Sequence, residues 1–202
     1  MLSLKQGSKL VSLARKSISY FLATGKHLVE KPDEKVFSES QGVFVSLHSF
    51  PENSLRGCVG FPLPVMPLWQ ACIKASISAA FEDSRFAQLQ SSELDSTIIE
   101  VSVLSKPITF VCSKEKLSEK VLPGKHGLIV SQGFNSGLFL PQVCVEQGWQ
   151  PLQFLENCCL KAGLPSSSWK TKECKVEYFT AQIFKEEEPK GKVVELVRKN
   201  SP

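Results

Sequence analysis

The sequence lacks most of the features that announce a common function. Seven cysteines are spread over 202 residues with no Cys-x-x-Cys pair, which excludes the usual zinc-ribbon and thioredoxin-type spacings. There is no phosphate-binding loop, no dinucleotide fingerprint and no His-Glu-x-x-His helix, so neither a cofactor nor a metal is expected. No stretch approaches the ~20 apolar residues of a membrane span. Charge of one sign is also scarce. The net charge is +4, and the lysines and arginines are scattered, too dispersed for a DNA-binding surface that works by counterion release. A small anionic ligand is compatible with such a balance. Repeats and low-complexity tracts are absent.

What is present is ordinary globular composition, 42% hydrophobic and 22% charged. A chain of this length buries roughly 70% of its unfolded surface and needs no disulfide to fold. The opening Met1-Leu2-Ser3-Leu4-Lys5-Gln6 has no apolar core of a secretory signal. With an odd number of cysteines, this predicts reduced thiols and a cytoplasmic location. The adjacent Cys158 and Cys159 sit in an apolar helical pattern and read as small core residues.

Leu10, Ala14, Ile18 and Phe21 make one apolar stripe, predicting an amphipathic helix over residues 8–24. Residues 30–40 read as a loop. Residues 42–48 alternate and are β-branched, and after the turn-rich 51–54 a second run, 55–61, completes a hairpin. A helix rich in small residues follows at 68–81, then a strand at 97–104. A short helix is expected at 113–120, a hairpin at 127–132 and 138–140, and a helix from Pro151 to Ala162 with Gly163 past its end. Residues 174–184 read as one long strand. The charged tail reads as a solvated end on which Val193-Val194 and Leu196-Val197 are able to dock. The pattern predicts an α+β fold, mostly antiparallel sheet with flanking helices, in two lobes with a cleft between them. Both chain ends are expected in the larger lobe, and about 105–140 in the smaller.

The most informative run is Leu55-Arg56-Gly57-Cys58-Val59-Gly60. Strand alternation places Arg56 and Cys58 on one face, and a guanidinium near a thiol favours the nucleophilic thiolate. Gly57 and Gly60 leave bare backbone that a ligand can approach. The alternative is a bulge beside a core thiol. Elsewhere, His126 lies in the turn Pro123-Gly124-Lys125-His126-Gly127 and is a candidate base for Cys58. The competing role is a turn histidine bonded to backbone. Glu100, on a strand face with Ile98, Ser102 and Leu104, is a candidate to orient His126 or to form a structural ion pair with Arg56 or Arg85. Asp83 and Arg85 read as a helix-end pair or as an anion clamp. Gln142 is a further candidate for substrate contact. His27 and His48 carry no special context.

Residues 55–60 resemble the LRGC(I/V)G signature of the AMMECR family. Asp83-Ser84-Arg85-Phe86 is similar to its DPRF element, with Ser84 where Pro is usual. Glu100 to Ser105 resembles its EVSVLS strand, and Gly124 to Leu128 its G-x-HGL turn. Leu140-Pro141-Gln142-Val143 and Lys161-Ala162-Gly163-Leu164 resemble its LPQV and KAGL. The chain is identified as a microbial-type member over about 10–184. The resemblance implies a two-lobed α+β fold with the signature strand near the cleft, but no settled reaction. It also implies a possible partner from a shared modification pathway, an extradiol-dioxygenase-like or radical S-adenosylmethionine protein.

The leading expectation is a thiol-dependent enzyme or enzyme subunit acting on a small substrate in the cleft. Cys58 is the nucleophile or acid/base, His126 the base, Glu100 its orienter and Arg56 the thiolate's stabiliser. Arg56, Gly57, Gly60, Asp83, Arg85 and Gln142 line the substrate. The alternative is a non-catalytic binding module for an anionic metabolite or a partner protein. A nucleic-acid-associated protein fits the dispersed charge poorly. Under the enzyme reading, electrostatics outweigh burial at Cys58 and hold its thiol below the ordinary value.

Overall fold

In the computed structural model residues 1–196 are described. Helix α1 (Leu4–Thr24) leads to β1 (Gly42–Ser49), β2 (Leu55–Phe61), α2 (Leu68–Phe81), α3 (Ser91–Leu94) and β3 (Thr97–Leu104). Then come β4 (Ile108–Thr109), α4 (Leu117–Lys120), β5 (Gly127–Gln132), β6 (Asn135–Phe139), α5 (Pro141–Glu146) and α6 (Pro151–Lys161). The last strands are β7 (Lys175–Phe179), β8 (Ala181–Glu186) and β9 (Val193–Glu195). The described residues divide into two compact units: Met1–Leu104 together with residues 182–196, and Ser105–Ala181. The fold is α+β, as its sequence pattern predicts.

The first unit holds a five-stranded sheet in the order β2-β1-β3-β8-β9, with β1 antiparallel to both neighbours. Helix α1 opens on a capping box made by Ser3 and Gln6 and stops at Gly25, φ 67°, which needs no Cβ in the left-handed region. The alternating Val43, Val45, Leu47 and Ile99, Val101, Val103 point to one face and form a core with α1 and α2. The small residues Ala71, Cys72, Ala75 and Ala79 of α2 are buried in it, which lets that helix lie close on the sheet.

The second unit holds a four-stranded sheet in the order β4-β7-β5-β6. Phe154, Leu155, Cys158 and Cys159 of α6 pack into a core with Leu128, Val130 and Val176. Both adjacent cysteines are fully buried, the packing role that their apolar pattern indicates. Burial pushes the Cys158 thiol up to about 12 and that of Cys159 to about 11.

Two elements differ from expectation. The long strand over 174–184 is two strands, β7 and β8, in different sheets. The break falls at Thr180, whose N–H donates to Ser105 Oγ at 3.0 Å and whose carbonyl accepts the Ser105 N–H at 2.9 Å. An apolar alternation runs through this point, so periodicity alone does not reveal it. Second, the unit that starts at Ser105 continues past Leu140, because β7 returns to pair with β5. In the tail, β9 pairs with β8 and the Leu196 N–H donates to the Ile183 carbonyl at 2.8 Å; Val197 lies outside the described residues.

A buried ion pair pins β8. Arg15 of α1 donates to both carboxylate oxygens of Glu186, at 2.8 and 2.5 Å. It also donates to the carbonyls of Leu94 at 3.0 Å and Thr97 at 2.5 Å, while Glu186 accepts the Ile99 N–H at 2.9 Å. Removing one member leaves the other charge buried, which costs about 3–5 kcal/mol. Arg15→Ala is expected to lower the urea-unfolding free energy by that order, and Arg15→Met paired with Glu186→Leu by much less.

Candidate functional site

Strand β2 spans Leu55–Phe61 and lies at the edge of the five-stranded sheet. Its register with β1 is regular from Phe61 to Gly57, where Leu47 faces Gly57, and then shifts so that His48 faces Leu55. Arg56 is the extra residue of this bulge. The bulge breaks the alternation that would make Arg56 a same-face neighbour of Cys58. The Arg56 guanidinium instead pairs with Glu93 of α3, at 3.0 and 3.2 Å.

The two glycines are required from inside the fold. A Cβ on Gly57 would stand 2.1 Å from the Ala79 carbonyl oxygen of α2. One on Gly60 would stand 2.3 Å from the Val43 oxygen and 2.4 Å from the Phe44 ring. Close packing therefore accounts for both bare positions without a ligand.

Because α2 ends directly above Gly57, the residues after it fall on Cys58. The Cys58 N–H donates to Asp83 Oδ2 at 2.9 Å, and the Cys58 carbonyl accepts from Arg85 Nη2 at 3.3 Å. Arg85 is itself held on Asp83 by Nε at 2.9 Å and Nη2 at 2.7 Å, with its guanidinium 5.3 Å from the centre of the Phe86 ring. Asp83 and Arg85 are thus engaged with each other and with backbone, and the Asp83–Phe86 element caps the edge strand at the thiol. The hydrogen bond from Arg85, helped by the Cys58 N–H, holds the Asp83 carboxyl well below the usual range. The Asp83 side chain is nearly buried, whereas that of Arg85 is 56% exposed.

Across the sheet, Cys58 faces Ser46, and Ser46 faces Glu100. Directly opposed residues share a face, so a polar row crosses three strands. Ser46 Oγ donates to Cys58 Sγ at 3.1 Å. Glu100 is only 8% exposed. Its Oε2 lies 3.8 Å from His48 Nε2 and 3.9 Å from Lys185 Nζ, and Lys185 Nζ donates to Asn53 Oδ1 at 2.6 Å. Among the described residues neither ring nitrogen of His48 is in a well-formed hydrogen bond, although the Asn53 backbone is near enough to favour the protonated ring.

Burial is the largest influence on the Cys58 thiol and pushes it up. The Ser46 hydrogen bond and the Arg85 charge pull the other way, and the Glu100 and Asp83 carboxylates add to the rise. The net direction is upward, opposite to the expectation that electrostatics would win. Moreover, the cation acting on the sulfur is Arg85, not Arg56.

The other sequence candidates lie in the second unit. His126 is buried, its Nδ1 accepts the Leu122 N–H at 3.2 Å, and its ring lies 4.4 Å from that of Tyr178. Gln142 is the second residue of α5, with its Oε1 buried and outside any hydrogen bond among the described residues. The histidine that Glu100 faces is His48, which has no motif context in the sequence; Ser46 and Lys185 were missed as well. The signal that could have found Ser46 and His48 is the alternation of β1, which places both on the Cys58 side once the hairpin is drawn. Among the described residues no cluster of His, Cys, Asp and Glu is arranged to hold a metal, and no helix is long and apolar enough to cross a membrane.

Fold and site together define an α+β protein of two antiparallel sheets with a thiol-centred polar row on one of them. The model of the AMMECR1 family matches residues 11–184. A protein of Methanopyrus kandleri is 47% identical over 196 residues, covering 96% of this chain and 95% of its own. One of Aquifex aeolicus is 45% identical over 186 residues, covering 92% and 95%. The crystal structure of an uncharacterised protein from Pyrococcus horikoshii is similar, with a TM-score of 0.89, 44% identity and coverage of 95% of this chain and 96% of that one. The chain belongs to the AMMECR1 family.

Two outcomes are expected. Iodoacetamide should label Cys58 slowly at pH 7 and faster only as pH rises past the ordinary thiol value of about 8.5, with Arg85→Ala moving that onset higher. Mass-spectrometric mapping across pH reads both. Burial, then the Lys185 charge, lowers the His48 pKa from 6.5 to about 4. Between those values the unfolded chain binds the extra proton, so stability is lost as pH falls from about 6.5 toward 4, by roughly 3 kcal/mol. NMR titration of the ring should place its midpoint near 4, and Lys185→Met should raise it.

Proposed function

We propose that the protein is a binding module for a small anionic molecule, seated beside Cys58 on the polar face of the first unit's sheet. The observation that carries this reading is the way Arg85 is held. Its Nε and Nη2 are fixed by Asp83 and the Cys58 carbonyl, and Phe86 backs the guanidinium, yet more than half of the side chain is exposed. A guanidinium already immobilised loses little freedom on binding, and its geometry suits carboxylate and phosphate. Cys58 and Ser46 then act as neutral hydrogen-bonding groups beside the anion. Nothing is required of His126, Gln142 or Arg56.

A second reading, thiol-dependent catalysis, is favoured by two contacts that stabilise a thiolate, the Ser46 hydrogen bond and the Arg85 charge. It requires a bound substrate to reverse the effect of burial. Calorimetry against a panel of carboxylates and organic phosphates separates the two. On the binding reading, Arg85→Ala weakens the best ligand by about tenfold or more, as for a lost charge-assisted hydrogen bond. Cys58→Ser keeps affinity within about threefold, because a hydroxyl replaces the neutral thiol. Unchanged affinity in Arg85→Ala, or ligand turnover that vanishes in Cys58→Ser, overturns it.

A further inference from the structure

In the second unit the chain that leaves β4 carries one cysteine past another. Strand β4 pairs antiparallel with β7, Ile108 facing Tyr178 and Thr109 facing Glu177. The ladder ends there, but two contacts show that the following residues keep the same course. The Phe110 ring lies 4.7 Å from that of Tyr178, and Lys114 Nζ donates to the Cys174 carbonyl at 2.6 Å. Cys112 stands midway between Phe110 and Lys114. Counted on in the register of β4, it falls opposite Cys174. Alternation gives Phe110, Cys112, Val176 and Cys174 one shared face. Phe110 and Cys112 do pack against the core that holds Cys174 and Val176.

There is room beside this pair. A cavity of about 260 Å³ opens where the paired strands end, with Cys112, Cys174, Lys114, Leu117 and Val176 in its wall. Cys112 is half-buried and Cys174 is buried. Behind Cys174 lies a third thiol, Cys159 of α6, close enough to share a hydrogen bond with it.

We propose that Cys112 and Cys174 are a redox pair, closed to a disulfide across this cavity by a hydroperoxide and reopened by a thiol reductant. The pair belongs to the second unit and is independent of the anion site beside Cys58.

Hydrogen peroxide, little larger than water, fits a cavity of this size. Cys112 is the member of the pair that solvent reaches, so oxidation starts there. Its sulfur attacks one peroxide oxygen, the O–O bond breaks, and the thiol proton leaves with the departing hydroxide as water. Cys112 is then a sulfenic acid. The Cys174 sulfur attacks the Cys112 sulfur, the S–O bond breaks, and the hydroxyl departs with the Cys174 proton as a second water. The peroxide has been reduced by two electrons, and the two thiols have supplied them.

Burial pushes the Cys174 thiol up, and the Lys114 charge draws it down. Such a thiol reacts slowly with reagents in solution, but a partner held opposite it gains the large advantage of an intramolecular reaction. Directly opposed residues have Cβ atoms about 4.5–5.5 Å apart, and a disulfide needs about 3.5–4.5 Å. A closure of about 1 Å therefore suffices, and the segment that carries Cys112 lies outside the ladder, free to make it. The bond ties the β4–α4 loop to the start of β7. Cys58 is also half-buried, but across the strands it meets the Ser46 hydroxyl, which cannot complete the second step.

The test treats the intact protein with limiting hydrogen peroxide, blocks remaining thiols with N-ethylmaleimide, and maps the unreduced peptides by mass spectrometry. The expected product is a peptide pair linked through Cys112 and Cys174. The free-thiol count of the denatured chain, seven when reduced, falls by two and is restored by dithiothreitol. In Cys174→Ala, Cys112 should stop at the sulfenic acid and be trapped by dimedone. Cys112→Ser, at a half-buried position, should leave Cys174 free; melting curves check that both variants fold. A Cys159–Cys174 bond that forms only when Cys112 is present agrees with the pair, having passed inward by thiol–disulfide exchange. The same bond formed equally in Cys112→Ser overturns the proposal. So does Cys112 left unmodified, carried on to sulfinic acid without a link, or joined to a second chain.

Discussion

The site depends on one close approach, a helix carbonyl set where a strand residue has no side chain. The Ala79 oxygen occupies the space beside Gly57, so α2 sits lower on the sheet than any other residue at that position would allow. Its C-terminus is thereby delivered to the edge strand, and Asp83 and Arg85 follow within a few residues. Without that approach, the Cys58 N–H and carbonyl would lose the partners that cap them, and Arg85 would be an ordinary surface cation. The small residues along α2 serve the same end. Open edge strands invite pairing with other chains, and here the two side chains that blunt the edge also border the thiol.

The sheet carries buried charge on both faces, and β8 links the two sets. Its alternation sends Glu186 toward α1, where Arg15 meets it, and Lys185 toward Glu100 on the opposite face. The first set is fully satisfied by carbonyls, an N–H and a bidentate pair, and it fixes where β8 stands. The second brings the Glu100 carboxylate 3.8 Å from His48 and 3.9 Å from Lys185, whose ammonium is held by Asn53.

Cys58 shows how magnitude decides between opposing effects. Two neighbours favour the thiolate and two carboxylates oppose it, but burial is the largest influence. A thiol flanked by an arginine in the motif is therefore pushed above its ordinary value. Reading the residue types alone suggests activation, because burial of a residue is a property of everything packed around it.

Local patterns determined much of this protein by themselves. The alternation of 42–48, 55–61 and 97–104 specified three strands, the small-residue run specified α2, and the motifs specified the family. Side-chain period and backbone preference are encoded in short windows, which is why they are legible. The bulge at Arg56, the break at Thr180, and the meeting of Cys58 with Asp83, Arg85 and Ser46 were decided only by the tertiary structure. So was the gathering of His48, Glu100 and Lys185, residues up to 137 positions apart in the sequence. A one-residue shift in register moves every later side chain to the other face, and nothing local in β2 announces it. Which cation reaches a thiol, and which histidine faces a carboxylate, follows from how strands are laid side by side, a choice made by the packing of the whole sheet.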